Sequence, residues 1–220
     1  EYMTYMQFNE LNQNYKNSIM LWLLTLTVMV FLIIIIGGLT RLTDSGLSMV
    51  DWRPILGTLP PFNNNQWLDV FNDYKLTPEF LYVNKNMTLE EFKYIFWWEW
   101  FHRFFARLIG LVFIIPFIYF FVKKNLNSFF YKRFLIIFSL GLLQALVGWW
   151  MVKSGLSEDP YVSPYRLTFH LTNAVIIYAL LLWTTIEYYN SKSANFISFK
   201  SKKDLILISI ILVFITILSG

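Results

Sequence analysis

The chain has 220 residues, of which 56% are hydrophobic and 20% aromatic, and its mean hydropathy is +0.49. This is more apolar than a soluble domain of that length, and its continuously apolar runs, such as 31–36, do not alternate like the strands of a membrane β-barrel. The absence of cysteine excludes disulfides, thiolate metal ligands and iron–sulfur clusters, and a net charge of +4 carried largely in short loops does not indicate a nucleic-acid surface.

Several apolar segments are long enough to cross a bilayer, which takes about 20 residues. In chain order they are a span at about 19–39, a helix that ends at 122, and spans at about 134–152 and 165–186. In the second, only 108–122 is free of charge, so the helix must begin upstream and bring Glu99, His102 and Arg103 near one membrane interface. The sequence therefore predicts an all-α polytopic membrane protein with a four-helix transmembrane bundle over 19–190.

Lysine and arginine are concentrated on one side of this predicted bundle, and basic loops of membrane proteins face the cytoplasm. The N-terminal segment 1–18 and the loop 191–204 are then cytoplasmic, and the long polar connection 41–92 lies outside. Residues 205–220 are predicted to form the start of a fifth transmembrane helix, which is truncated. We therefore expect the chain to be a portion of a longer protein.

The chain has only two histidines, His102 and His170, and both are predicted near the outer ends of their helices. In both places a phenylalanine precedes the histidine and an alanine follows four residues later. An imidazole in hydrocarbon needs a partner, and an iron porphyrin is the ligand that most often takes two imidazoles. Because a four-helix bundle can bring both rings to its interior at one depth, we predict that they share a heme. The alternative for each ring is a hydrogen bond to a neighbouring helix.

Glu99, His102, Arg103, Ala106 and Gly110 fall on one face of the second predicted helix. The alanine and glycine either leave room for a flat macrocycle or allow close helix packing. Glu99 is either a solvated or Arg103-paired carboxylate, or an acid–base or charge-stabilising group one turn from a ligand histidine.

Five arginines are predicted to lie at the outer interface, namely Arg41, Arg53, Arg103, Arg107 and Arg166. Arginine pairs well with carboxylates, so Arg41, Arg103 and Arg166 are candidate contacts for the two propionates of a heme. The alternative is that their side chains extend to lipid head groups.

The third span carries Gly141, Gln144, Ala145 and Gly148 along one stripe. This pattern predicts a close-packing face, on which Gln144 acts as a hydrogen bond between helices and not as a catalytic group.

A short motif occurs twice, as Ser45-Gly-Leu-Ser48 after the first span and as Ser154-Gly-Leu-Ser157 after the third. A histidine helix follows each copy. The first four spans therefore resemble two copies of a helix pair, and duplications of this kind build binding sites where the repeats meet.

Several longer motifs resemble the heme A synthase family, most closely its alphaproteobacterial and mitochondrial branch. They are Gly37-Gly-Leu-Thr-Arg-Leu-Thr-Asp-Ser-Gly-Leu-Ser48, Trp52-Arg-Pro54, Phe96-Trp-Trp-Glu-Trp-Phe-His-Arg103, Gly148-Trp-Trp-Met-Val-Lys-Ser-Gly-Leu156 and Tyr165-Arg-Leu-Thr-Phe-His-Leu171. The resemblance implies oxidation of the C8 methyl of heme O to the formyl group of heme A, for cytochrome oxidase assembly. It also implies eight helices in two similar halves.

In that family the N-terminal half holds the substrate heme between two histidines, matching His102 and His170, and Glu99 matches the implied catalytic residue. The C-terminal half carries a second histidine pair for a heme b. That pair is missing from this sequence, so the chain alone is not expected to complete turnover.

The resemblance also implies a location and partners. We expect a multi-pass protein of the bacterial inner membrane, or alternatively the mitochondrial one, with its N-terminus in the cytoplasm. The expected partners are heme O, membrane lipid, the heme O synthase (a farnesyltransferase) and further copies of the chain, with no nucleic acid. The rival function is a b-type cytochrome subunit that carries electrons through a bis-histidine heme, and a transporter ranks last.

Overall fold

The computed structural model describes residues 15–51, 58–126, 128–157 and 159–192. These residues form six helices and no strand: α1 (Lys16–Leu42), α2 (Asn64–Lys75), α3 (Pro78–Tyr82), α4 (Leu89–Val122), α5 (Ser128–Gly155) and α6 (Pro164–Lys192). The helices α1, α4, α5 and α6 are long and apolar enough to cross a membrane, which confirms the predicted all-α polytopic membrane protein. The predictions for most of the segment 1–18, for Arg53, for 193–204 and for a fifth helix at 205–220 lie outside the described residues.

Helix α4 begins well upstream of its charge-free stretch, as predicted. Its start is fixed by a reciprocal cap, in which the Thr88 backbone N–H donates to Glu91 at 2.7 Å and the Glu91 backbone N–H donates to the Thr88 hydroxyl at 3.4 Å. Glu90 adds a second acidic group to the first turn, where the helix dipole favours negative charge. The helix therefore carries Glu99 and His102 about three turns inside its own N-terminus.

The connection 41–92, predicted only as a polar loop, contains the helices α2 and α3. Three buried side chains of α2 follow a helical spacing, and they pack against three buried side chains of α4. These are Trp67, Phe71 and Tyr74 on α2, and Phe92, Ile95 and Phe96 on α4. The spacing of the α2 residues was a helix signal that the many asparagines around them obscured.

The chain divides into two compact units, and the four long helices contribute to both. In its described part, the first unit holds 15–31, 109–126, 128–143 and 171–192. Inside it, the Trp22 ring packs against Phe113 and Phe134 at centroid distances of 5.9 and 4.9 Å. The hydroxyls of Thr27 and Thr185 share a buried hydrogen bond of 2.9 Å. Aromatic packing and polar contacts such as this one thus join segments of α1, α4, α5 and α6 in this unit.

The second unit holds the described residues among 32–108 and 144–170. Both copies of the Ser-Gly-Leu-Ser motif lie here and make the same local bond. The Ser48 hydroxyl donates to the Ser45 carbonyl at 3.1 Å, and the Ser157 hydroxyl donates to the Ser154 carbonyl at 3.4 Å. The two copies of the sequence motif therefore share the same hydrogen bond from a serine hydroxyl to a backbone carbonyl.

The two copies also touch. A Cβ built on Gly155, in the second copy, would lie 2.6 Å from Cδ1 of Leu47, in the first copy. Leu47 is buried, so only glycine leaves space for it there. At Gly46, the matching glycine of the first copy, a Cβ would meet nothing within 4 Å.

Candidate functional site

His102 projects from α4 against the backbone of α1. A Cβ built on Gly37 would lie 3.2 Å from Cε1 and 3.7 Å from Nδ1 of the imidazole. The Nδ1 atom is buried and has no hydrogen-bond partner within the described part of the chain. The ring thus lies close to the glycine backbone, where a Cβ would require it to shift by a few tenths of an ångström.

His170 projects from α6 and is held in the same way by α5. A Cβ built on Gly148 would lie 3.0 Å from Cε1 and 3.5 Å from Nδ1 of the imidazole. Its Nδ1 is also buried without a partner among the residues described. The amide nitrogen of Gln144 lies 3.2 Å from Nε2 of this ring and 3.1 Å from the His170 carbonyl oxygen.

The structure therefore brings both predicted histidines into one unit, each seated on a glycine of the preceding long helix. Sequence reasoning missed the role of Gly37 and assigned Gly148 only to a packing face. A glycine inside an apolar helix was the available signal, because such a residue often has a packing or functional reason.

Glu99 is 3% exposed and is held from three directions. Its Oε2 accepts hydrogen bonds from the Ser48 hydroxyl and the Met49 backbone N–H, each at 2.7 Å. Its Oε1 pairs with the Arg103 guanidinium, which also donates to the Met49 carbonyl at 3.1 Å. A buried carboxylate needs such compensation, and the pairing with Arg103 is one of the two states that the sequence left open.

The predicted propionate arginines differ in their surroundings. Arg41 is exposed in the last turn of α1. Arg103 is engaged by Glu99. Arg166 donates to the Trp150 carbonyl at 2.8 Å and lies over the Trp150 ring at 4.5 Å. The structure thus leaves Arg41 as the most open cation of the three.

For Ala106 and Gly110 the sequence left two alternatives, room for a macrocycle or close helix packing. Ala106 is exposed, and a Cβ on Gly110 would meet nothing within 4 Å, so neither packs closely against another described helix. Gly141 is open as well, and the predicted close-packing stripe on α5 is therefore wrong at this position. The prediction for Gln144 is confirmed, since it bonds α5 to α6.

A second buried carboxyl group lies in the 41–92 connection. Glu79 is 6% exposed, accepts a hydrogen bond from the Tyr74 hydroxyl at 2.9 Å, and that hydroxyl in turn accepts from the Asn84 amide at 2.8 Å. Burial raises the pKa of Glu79 to about 7, and the charge of Glu99 adds to this effect. The hydroxyl bond opposes the rise by favouring the ionised form.

These features define a class: a polytopic helical membrane protein with two histidines, each packed against a glycine of a neighbouring helix, and a buried carboxylate one turn from the first of them. A family model for cytochrome oxidase assembly protein matches residues 20–220, and the chain belongs to that family.

Two relatives that it matches are named heme A synthase. It is 47% identical over 205 residues to the heme A synthase of Nitrosomonas eutropha, which is 92% of this chain and 58% of that protein. It is 49% identical over 175 residues to the heme A synthase of Nitrosospira multiformis, covering 80% and 49% of the two chains. The chain thus spans about half the length of the curated relatives it matches. No solved structure matches it.

Proposed function

We propose that this chain is the substrate-binding half of a heme A synthase, which oxidises the C8 methyl of heme O to the formyl group of heme A for cytochrome oxidase assembly. The observation that carries the proposal is the pair of imidazoles, His102 and His170, each seated on a glycine with a buried ring nitrogen that lacks a protein partner among the described residues. Family membership and the names of the relatives support it.

The ligand set suits a porphyrin. Among the residues described, no group of three or more histidine, cysteine, aspartate or glutamate side chains could hold a metal ion. Two imidazoles instead suit an iron whose other ligands a macrocycle provides. His102 and His170 would hold the iron of heme O, and the exposed Ala106 below the first ring leaves room beside it.

Arginines at the outer end would hold the propionates. Arg41 and Arg166 have guanidinium nitrogens to offer, whereas Arg103 can contribute only those that Glu99 and the Met49 carbonyl do not use. Bidentate pairing of arginine with carboxylate orients a ligand as well as binding it.

Glu99 would act as the catalytic residue through its charge. Ser48, Met49 and Arg103 fix the carboxylate in one position, and a preorganised charge stabilises opposite charge that develops in a transition state. The iron porphyrin of the substrate supplies the oxidative chemistry, while the protein supplies position and electrostatics.

The proposal extends to the whole protein. A heme b would be held in a further segment, and the protein would reside in the bacterial inner membrane, or the mitochondrial one, with a cytoplasmic N-terminus. The heme O synthase and further copies of the chain would be its partners. The names of the relatives favour this function over an electron-carrying b-type cytochrome subunit.

The test uses the intact protein with Glu99→Gln, whose hemes are extracted and separated by chromatography. We expect heme O to accumulate and heme A to fall by about 10²–10³-fold, the loss typical of an electrostatic catalytic group. Glu79→Gln is the matched control, because it also converts a buried carboxyl to an amide and should leave heme A unchanged. Unaltered heme A in Glu99→Gln would remove Glu99 from the mechanism. If the unsubstituted protein makes no heme A, the b-type cytochrome function is favoured instead.

A further inference from the structure

Gln144 contacts two atoms of His170 with one nitrogen. Its amide group lies on α5 one turn before Gly148, so the two residues share a helix face. The amide nitrogen is 3.1 Å from the His170 carbonyl oxygen and 3.2 Å from Nε2 of the ring. The His170 imidazole is therefore held on one side by the glycine backbone and at Nε2 by an amide.

The carbonyl contact settles which partner donates. A carbonyl oxygen only accepts, so the amide group of Gln144 must face it with nitrogen, which carries two hydrogens. The same nitrogen faces Nε2, and that ring nitrogen must then accept. A neutral imidazole that accepts at Nε2 carries its proton on Nδ1.

We propose that Gln144 is a positioning residue for His170: together with Gly148 it fixes the ring and keeps Nε2 as the unprotonated nitrogen, ready to bind iron. The proposal deepens the heme site and rests on the proposed function. A metal takes the lone pair of a neutral imidazole, so the tautomer matters as much as the position.

The Gln144 amide would keep one hydrogen-bond acceptor if iron bound to Nε2. When Nε2 turns to another partner, the Gln144 amide retains the His170 carbonyl oxygen as acceptor. A donor that keeps one acceptor avoids the penalty of a buried, unsatisfied polar group. Because a metal would take the same Nε2 lone pair, Gln144 would hold the ring in the free protein and would have to release Nε2 when iron binds.

The first test needs no heme. Selective ¹⁵N-histidine labelling of the intact protein reports its imidazoles, and the His102→Ala and His170→Ala variants assign these two. We expect His170 to show a protonated Nδ1 and an unprotonated Nε2 in the unsubstituted chain, and Gln144→Leu to move the proton population toward Nε2. A proton on Nε2 in the unsubstituted chain, or spectra unaltered by Gln144→Leu, would overturn the proposal.

Asn173→Leu is the matched control. The Asn173 amide also bonds α6 to a carbonyl of α5, that of Leu140 at 3.1 Å. Its loss removes a similar interhelical bond, so a change common to both variants would mean that Gln144 acts only through general packing, and this too would overturn the proposal.

The second test titrates the chain with ferric protoporphyrin IX and follows the absorption bands. We expect Gln144→Leu to weaken binding about tenfold, as for one lost hydrogen bond, and Asn173→Leu to bind as the unsubstituted chain does. His170→Ala gives the heme affinity that remains without this imidazole. Equal binding by the unsubstituted chain and His170→Ala would refute the heme site and the role of Gln144 with it, whereas a clear His170 effect with no Gln144 effect would refute the role of Gln144 alone.

Discussion

Gly148→Ala is the sharpest perturbation of the histidine site. The added Cβ would lie 3.0 Å from Cε1 of His170, where ordinary contacts begin at 3.4 Å. The ring must therefore retreat from α5 by about 0.4 Å. The 3.2 Å contact between Nε2 and Gln144, which also lies on α5, then lengthens, and the hydrogen bond weakens.

The expected magnitudes follow from two opposing effects. Forcing a methyl group into a close contact costs about 1–3 kcal/mol, whereas alanine in a helix gains about 1 kcal/mol over glycine. Gly141→Ala, on the same helix, gains the second effect without the first, because a Cβ there meets nothing within 4 Å. Gly148→Ala should thus be less stable than Gly141→Ala by about 1–3 kcal/mol.

The assay is a ferric protoporphyrin IX titration of both variants in detergent, alongside thermal unfolding of the free chains. Because the displaced ring loses part of its contact with Gln144, Gly148→Ala should bind about tenfold more weakly than Gly141→Ala, about the effect of one lost hydrogen bond. The neighbouring pair on α1 repeats the comparison: Gly37→Ala approaches His102 at 3.2 Å, whereas a Cβ on Gly38 meets nothing within 4 Å.

Equal heme affinity of Gly148→Ala and Gly141→Ala would refute the reasoning, since it would show that the ring does not depend on its glycine seat. A larger loss for Gly37→Ala than for Gly148→Ala would also contradict it, because the contact at Gly148 is the closer of the two.

Three further outcomes are expected. Gly155→Ala should lose about 1–3 kcal/mol of stability by overpacking, measured by thermal unfolding against Gly46→Ala, and equal stability of the two would contradict the contact between the repeats. Burial raises the pKa of Glu79 from 4.5 to about 7, so the folded chain keeps a proton that the unfolded chain loses. Stability should therefore fall by about 3 kcal/mol as the pH rises through this interval, and Glu79→Gln should abolish that slope. Ser48→Ala should cost about 1.5–3 kcal/mol, because it removes a hydrogen bond to the buried carboxylate of Glu99, and unchanged melting would argue against that contact.

Much of the architecture is local in origin and was predictable. Length and apolarity determine which segments can cross a bilayer, and charge placement required α4 to begin before Glu99. The interhelical role of Gln144 also followed from its type, since an amide within an apolar helix bonds to a neighbouring helix. The similar helix environments of His102 and His170 could be predicted, because a polar ring is unusual in an apolar segment.

Within the connection 41–92, the polar composition predicted an irregular loop where the structure has two helices. The aromatic face of α2 is spaced for a helix, yet asparagines and prolines around it indicated an irregular loop. Burial against α4 outweighs those weak local preferences, because several large aromatic side chains leave water together.

Only the tertiary structure decided which residues meet. The bond from Ser48 to Glu99 spans 51 positions, and no local pattern specifies that Gly37 faces His102 or that Gly148 faces His170. A helix that is apolar on all sides shows no stripe to mark its buried face, and lipid gives no hydrophobic preference for one rotation over another. The rotation of each helix is therefore chosen by close packing and by the few polar partners it finds. The sequence alone determined which segments cross the membrane and which residue types could bind a ligand, and packing between distant segments determined where they point.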